Sequence, residues 1–467
     1  MKPFIKQFKI NNLFGYKNLC LKFDQPIQIL IGENGFGKTT VLNALYFLLK
    51  SDYTNLLRIK FDSIEIIFLE DQKFCFTKDL LKSYCEYLVH RKRDESGIVD
   101  YIKKTIDNSV LSNLITKIQK DNKLEVYSYF KKDERLNRLP PQFLYQTLFE
   151  INEIQQKYKV FWDMSEYINS QNIKLLYFPT YRRVEEELKN LISPSSTRTY
   201  SSRREMYLEE ENQRFLTNDT IIRFGMKDVE SRIKKIINEI TQSSLSGFAS
   251  VSGEMISQLL KIEPEVSNDP IFDINEIKIV LSRVGINLTN EDRDEIIHQI
   301  SSGSQTFKNN KFLVYFLEQL LNVYKKQKKY DTSIKQFVEI CNQYLSEKAF
   351  VYDESAVTLK VYRKLGDSLL VDDDNKLELR HLSSGEKQIV SIFSQIYLEP
   401  DNNFMVLFDE PELSLSIYWQ ERLLPDIITS NRCAFMLAVT HSPFIFNNEL
   451  KQYAVGLKEF ISNGKNL

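Results

Sequence analysis

The run Gly32-Glu33-Asn34-Gly35-Phe36-Gly37-Lys38-Thr39 puts glycines where a backbone must curl around an anion, and it ends in a lysine and a hydroxyl. Glycine at these positions lets main-chain N–H groups converge on phosphate oxygens in a concave nest that side chains would obstruct. A helix starting behind the loop adds unpaired N–H donors and the positive end of its dipole. Lys38 is then expected to reach the β- and γ-phosphates of a nucleoside triphosphate, with ATP the expected one, and the Thr39 hydroxyl to ligate Mg²⁺. Thr40 completes the set of loop residues expected to hold the nucleotide. The competing reading is a chance glycine-rich turn, and the full G-x-x-x-x-G-K-T spacing between a strand and a helix argues strongly against it.

Three further runs could complete such a site. Phe404-Met405-Val406-Leu407-Phe408-Asp409-Glu410 is an apolar stretch ending in two acids. A strand end of this kind places the first carboxylate beside a metal and the second beside an attacking water. Asp409 is therefore the expected Mg²⁺ partner and Glu410 the expected water-polarising base. Alone, such a run is often just a strand entering a turn; the glycine loop is what favours chemistry. Leu382-Ser383-Ser384-Gly385-Glu386-Lys387-Gln388 stands ahead of an apolar helix, where Ser383 or Ser384 with Glu386 forms a capping start. A capped helix N-terminus is also a phosphate site, so the two roles are compatible. Thr440-His441-Ser442-Pro443 follows a strand, and a lone histidine there is usually structural.

The elements that must position these residues are legible around them. Ile27 to Ile31 reads as a buried strand, and Thr39 to Leu49 has helical apolar spacing. Residues 4–25 read as a strand pair and 62–77 as a hairpin turning at Glu70-Asp71-Gln72. Residues 79–170 turn helical and charged, Ile173 to Phe178 is a strand, and Ser193 to Arg204 reads as a loop. Helix returns over 205–345, with breaks expected near Gly247, Gly253 and Pro264. Ala349 to Leu379 is strand-like. A helix from Ser384, a strand at Phe404 to Phe408, a helix after Ser416 and a strand at Ala434 to Val439 follow. The expected fold is α/β: a P-loop ATPase head built from residues 1–78 and 347–467, with 172–184 as a head strand and coupling segment. Large, mostly helical insertions occupy 79–171 and 185–346.

The 467 residues are 42% hydrophobic and 27% charged, the balance of a globular protein with a real core. A formal net charge of −1 provides no global positive field, so any nucleic-acid contact must come from a local patch. Cys20, Cys75, Cys85, Cys341 and Cys433 form no C-x-x-C pair, which disfavours zinc and disulfide frameworks. With no apolar signal core and no run of membrane-spanning length, a cytoplasmic chain without membrane contact is expected.

Taken in order, the glycine loop, Leu382-Ser383-Ser384-Gly385-Glu386, Asp409-Glu410-Pro411 and Thr440-His441-Ser442-Pro443 resemble the motif series of the ATP-binding-cassette ATPases. The resemblance implies that Leu382 to Gln388 is the signature motif, contacting the γ-phosphate across a head-to-tail dimer of this chain with ATP between the subunits. It implies that His441 reads the same phosphate. Lys38 and Leu382 lie 344 positions apart, a spacing that resembles the branch of RecF, SMC and OLD proteins rather than transporter motors. Phe8 to Lys17 looks like that branch's first hairpin, which would bring Lys17 toward the phosphates. Leu176 to Glu185 and Phe224 to Glu230 look like segments of the stand-alone ATPase subunits of the PARIS and Septu anti-phage systems. Where many relatives carry a histidine shortly after the Walker B Pro-Glu, this chain has Leu413-Ser414-Leu415-Ser416.

The insertions are too short and irregular for a long coiled coil, so a compact helical subdomain is expected. The basic runs His90-Arg91-Lys92-Arg93, Arg203-Arg204 and Lys325-Lys326-Gln327-Lys328-Lys329 read as solvated faces. Arg182-Arg183, after a strand and a proline, is the pair expected to couple ATP state to the insertion. Asp292-Arg293-Asp294 and Asp372-Asp373-Asp374 read as surface. With only Phe444 to Leu467 after the last motif and a polar tail at the end, no OLD-type nuclease domain is expected. The expected function is a defence ATPase, sensor and scaffold in a homo-oligomer, controlling a separate effector, a nuclease, on a phage-encoded trigger. A RecF- or SMC-type repair ATPase that binds DNA is the alternative, and a transporter motor is a third reading that the spacing disfavours.

Overall fold

The computed structural model describes residues 4–32, 35–93, 101–180 apart from 103, 104, 107, 120–122 and 134, and 226–259. It further describes 272–302 apart from 285–287, and 307–463 apart from 308, 367, 370 and 401. Two five-stranded sheets form the head. The first is antiparallel, in the order β14-β2-β1-β4-β5, from β1 (Ile5–Leu13), β2 (Lys17–Lys22), β4 (Ser63–Phe68), β5 (Lys73–Thr77) and β14 (Ile461–Asn463). The second is parallel, in the order β13-β3-β12-β11-β6, from β3 (Ile27–Ile31), β6 (Ile173–Phe178), β11 (Asn403–Asp409), β12 (Cys433–Thr440) and β13 (Ala454–Gly456). A small antiparallel sheet of β7 (Lys348–Asp353), β8 (Thr358–Leu365) and β10 (Lys376–Leu377), with β9 (Ser368–Leu369) on β8, stands beside them.

The central parallel strands are mostly apolar because both of their faces are covered. Along β11, Phe404, Val406 and Phe408 enter one core, while Met405 and Leu407 enter the other. The second core lies under the antiparallel sheet and α1 (Lys38–Leu49), whose Val41, Leu42, Leu45 and Leu48 are buried in it. The first lies under α6 (Ser384–Tyr397) and α7 (Ile417–Thr429), where Ile389, Phe393, Leu423 and Ile427 fill it. Phe178 and Phe408 stack across neighbouring strands with centroids 4.4 Å apart.

Two helical parts are inserted. After β5, α2 (Lys78–Arg93) and smaller helices lead into α3 (Pro141–Ser170). The first half of α3 buries Leu144, Leu148 and Ile151 in a local core, and the second half sends Tyr158, Phe161 and Met164 into the head. After β6 come α4 (Met226–Leu259) and α5 (Lys311–Tyr344), 34 residues each and about 50 Å long at the standard helical rise. They run antiparallel: Ser243 and Ser244 meet Gln327, and Phe248 meets Phe316. Their lower ends, with Val229, Ile236, Ile334 and Phe337, join the core beneath α6.

This pair corrects one expectation. The helix does not break at Gly247 or Gly253; α4 runs unbroken through both. A Cβ at Gly247 would stand 2.4 Å from Val323 Cγ1, so the glycine serves close packing of α4 on α5. The second insertion thus contains a two-helix stalk whose far end packs with the shorter helices Ile274–Arg283 and Asn290–Ser301 around one local core. The C-terminal segment adds β13 to the parallel sheet and β14 to the antiparallel one. Pro264, the loop at 193–204 and Phe224-Gly225 lie outside the described residues.

Candidate nucleotide site

Parallel pairing decides where the chemistry falls. Ile31 pairs with Thr440, Val439 with Asp409, and Phe408 with Phe178, so four strands finish together along one edge. Ligands of open parallel sheets sit beyond that carboxyl edge. The glycine loop leaves β3, Asp409-Glu410 leave β11, His441 leaves β12 and Thr180 follows β6, so residues hundreds of positions apart become neighbours.

The loop turns sharply into α1. Gly37 has φ +85°, and a Cβ there would stand 2.7 Å from the Phe14 ring, so both the backbone and the packing call for glycine. Lys38 is buried, and its Nζ donates to the Gly32 carbonyl and lies against the His441 imidazole, 3.3 Å from Nδ1. Burial pulls the Lys38 ammonium below the ordinary lysine range, opposed by Glu410, Asp409 and Glu412. Thr39 Oγ1 donates to Asp409 Oδ1 at 3.0 Å, and Thr180 Oγ1 donates to Asp409 Oδ2 at 2.8 Å.

Glu410 sits at φ +53°, a left-handed backbone uncommon for a side-chain-bearing residue, which this structure also has in turns at Ser51, Asn172 and Val357. Its N–H donates to the Val439 carbonyl at 2.9 Å, and its Oε1 lies 3.6 Å from His441 Nε2. Burial raises the Glu410 carboxyl above its usual range, helped by Asp409 and Glu412, while His441 and Lys38 pull it back. Lys17 lies 5.3 Å from the Phe36 ring, and Lys458 lies 4.7 Å from the same ring.

The segment Leu382 to Gln388 caps α6. Ser383 Oγ accepts from Glu386 N, and Glu386 Oε2 accepts from Ser383 N at 2.7 Å. Lys348 closes on Glu386 Oε2 at 2.8 Å. Burial alone would raise the Glu386 carboxyl, yet Lys348 and the Ser383 N–H together hold it below its ordinary range. Glu386 is therefore occupied within its own subunit. Gly385 is buried, packed so that a Cβ would meet the Ser414 carbonyl oxygen at 2.7 Å. Ser383 and Ser384 are exposed, and among the described residues no hydrogen bond or ion pair joins them to the cluster at the sheet edge.

Thus Gly32, Lys38, Thr39, Asp409, Glu410 and His441 come together, while Ser383, Ser384, Gly385 and Glu386 form a separate capped terminus. Gly35 and Gly37 are in the loop turn, and Thr40 is in the first turn of α1. Glu33, Asn34, Arg182, Arg183 and Arg203-Arg204 lie outside the described residues. Asp292 belongs to a capping box with Thr289, Asp372 caps a turn, and Lys328 pairs with Glu276 at 2.7 Å, all surface roles. Sequence reasoning gave no role to Thr180 or Glu412; the one available signal was that each follows a strand that ends at the loop's edge.

A parallel sheet with a phosphate loop, an acidic strand end and a histidine on one edge defines a P-loop ATPase head. The chain belongs to the AAA ATPase domain family, whose model matches residues 1–446. It is similar to the DNA replication and repair protein RecF of Rickettsia akari, 27% identical over 176 residues, 37% of this chain and 47% of that protein. It is also similar to the DNA double-strand break repair Rad50 ATPase of Methanococcus maripaludis, 24% identical over 270 residues, 50% of this chain and 26% of that one. The chain thus spans about half the length of the first of these relatives and a quarter of the second. A solved Smc head domain with an extended coiled coil, bound to the C-terminal domain of ScpA and derived from Pyrococcus furiosus, aligns with 96% of this chain and 92% of its own. That alignment has 13% identity and a TM-score of 0.32, a loose superposition. Among the described residues no helix is long and apolar enough to cross a membrane.

Proposed function

We propose that the chain is a RecF- and Rad50-type ATPase that hydrolyses ATP and passes nucleotide state to its helical stalk while acting on DNA. The observation that carries the ATPase reading is the convergence of Lys38, Thr39, Asp409, Glu410 and His441 on one sheet edge. Loop amides and the α1 N-terminus bind the phosphates, and Lys38 adds charge to them. Thr39 Oγ1 and Asp409 Oδ1 are two hard oxygen donors 3.0 Å apart, a set that suits Mg²⁺, which takes few protein ligands beside substrate phosphates. When bound there, Mg²⁺ supplies Lewis-acid charge to the phosphate oxygens. Glu410, with its carboxyl raised by burial, takes a proton from water as the water oxygen bonds the γ-phosphorus. The bond from that phosphorus to the bridging oxygen breaks, and ADP leaves. His441, exposed at the end of β12, faces the same phosphate.

Exposed Ser383 and Ser384 on a capped helix terminus form a second anion site that the chain's own loop does not use, which favours a head-to-tail pair of chains around ATP. Because α4 and α5 pack on α6, closing such a pair would move the stalk.

The DNA reading is favoured over the defence reading because the matched relatives are repair proteins. A defence ATPase holding a separate nuclease draws on the likeness of residues 176–185 and 224–230 to anti-phage ATPases. Phosphate release by the purified chain, with and without duplex DNA across a salt series, tests both. Lys38-dependent turnover with salt-sensitive duplex binding supports the proposal. Turnover without any duplex binding, together with co-purification of a neighbouring nuclease, turns the reading toward defence.

A further inference from the structure

We propose that Glu412 is the positioning residue of the hydrolytic site, holding the loop that carries His441 at a fixed distance from Glu410. The inference rests on the ATPase reading above and gives a role to a residue that reading leaves unused.

Glu412 Oε1 accepts two consecutive main-chain N–H groups, from His441 at 2.8 Å and Ser442 at 3.1 Å. A carboxylate on two adjacent amides is a charge-assisted, two-point clamp, stronger and more directional than one neutral bond. It acts where β12 ends and the chain loses its sheet partners, so the clamp decides where the imidazole stands. A second link closes the circuit. Ser442 Oγ donates to Gln420 Oε1 at 2.7 Å, and Gln420 Nε2 donates back to the Leu415 carbonyl at 2.9 Å. The segment 410–415 and the segment 440–442 are thereby joined at both ends. The first of these also touches the signature helix: Gln388 Nε2 donates to the Pro411 carbonyl at 3.4 Å, and Gly385 packs on the Ser414 carbonyl. Glu412 thus lies between the capped terminus of α6 and the histidine, and a shift of either is passed through its clamp. The 3.6 Å separation of His441 Nε2 from Glu410 Oε1 is set by two loops that Glu412 binds to each other.

Steady-state ATP hydrolysis and ATP binding by the full chain with Mg²⁺ test this, using Glu412→Ala, Glu412→Gln and Glu410→Gln side by side. Misplacing a reacting group by about 1 Å lowers turnover on the order of a hundredfold. Glu412→Ala should therefore lose about that much kcat, with KM for ATP within about threefold of wild type. Glu412→Gln keeps an oxygen for the two amides and should recover at least tenfold of the loss. Glu412→Ala at the wild-type rate beside an inactive Glu410→Gln overturns the positioning role and leaves the ATPase reading standing. A Glu410→Gln chain at full rate overturns the assignment of Glu410 as the base, and a wild-type chain that does not hydrolyse ATP overturns the ATPase reading itself. Should Glu412→Ala fail to fold, Glu412→Gln decides by itself: active supports the clamp, and folded, ATP-binding but inactive overturns it.

Discussion

Thr39 and Asp409, 370 positions apart in the chain, meet at 3.0 Å between Oγ1 and Oδ1. The hydroxyl comes from the first turn of α1 and the carboxylate from the last residue of β11, and parallel pairing through β12 brings them together. Asp409→Asn keeps the shape and loses the charge. The Mg²⁺ concentration giving half-maximal ATP hydrolysis should rise at least about tenfold, in proportion to a lost charge-assisted contact of about 1.5–3 kcal/mol. A metal titration with the same midpoint as wild type would contradict the assignment.

Lys38 is held among its neighbours by the Gly32 carbonyl and His441, and it is the buried cation of the loop. Lys38→Ala removes hydrogen bonds to charged phosphate, each about 1.5–3 kcal/mol, so the dissociation constant for ATP should rise about tenfold to hundredfold. Equilibrium binding of labelled ATP reads this directly, and unchanged affinity would place the phosphates elsewhere.

Much of this site was legible because its chemistry is local. Gly32 to Thr39 must be contiguous to wrap a phosphate, and Asp409-Glu410 must end a strand. The alternation of β11 between two cores likewise shows as an unbroken apolar run. The rest depends on distant partners that no local pattern records. Gly247 has the sequence signature of a break, yet its lack of a side chain is what admits Val323. Residues 454–456 and 461–463 are too short to read as strands, and β3 and β2 supply their pairing. Thr180 and Glu412 acquire roles through Asp409 and the His441 loop alone.

That reading of Gly247 is itself testable. Gly247→Ala places a methyl within 2.4 Å of Val323 Cγ1, and overpacking of this kind destabilises by about 1–3 kcal/mol. Urea unfolding should show the loss, and Val323→Ala in the same chain should recover part of it. If both single and double variants unfold at the wild-type midpoint, α4 and α5 are not closely packed there.

Glu386 gives stability a pH dependence. Its carboxyl is held below the ordinary range in the fold, whereas an unfolded glutamate titrates at about 4.3. A depressed folded value means the stabilisation is complete above the unfolded pKa and is lost as pH falls from there through the folded value. Glu386→Gln should therefore lower stability at neutral pH and flatten its decline under acid, as denaturant unfolding across that window would reveal. An identical pH profile in wild type and variant would show that the Lys348 pair and the cap contribute nothing.

Glu410 stands at the end of β11 in a left-handed backbone, with its carboxyl raised by burial and 3.6 Å from His441. Single-turnover hydrolysis of bound ATP by Glu410→Gln is the most direct measurement of whether this edge is an ATPase site. Loss of a positioned base lowers the rate about 10²- to 10⁴-fold, so the variant should hold ATP with Mg²⁺ at near wild-type affinity and leave it intact. Cleavage of that ATP at the wild-type rate would mean that Glu410 is not the base.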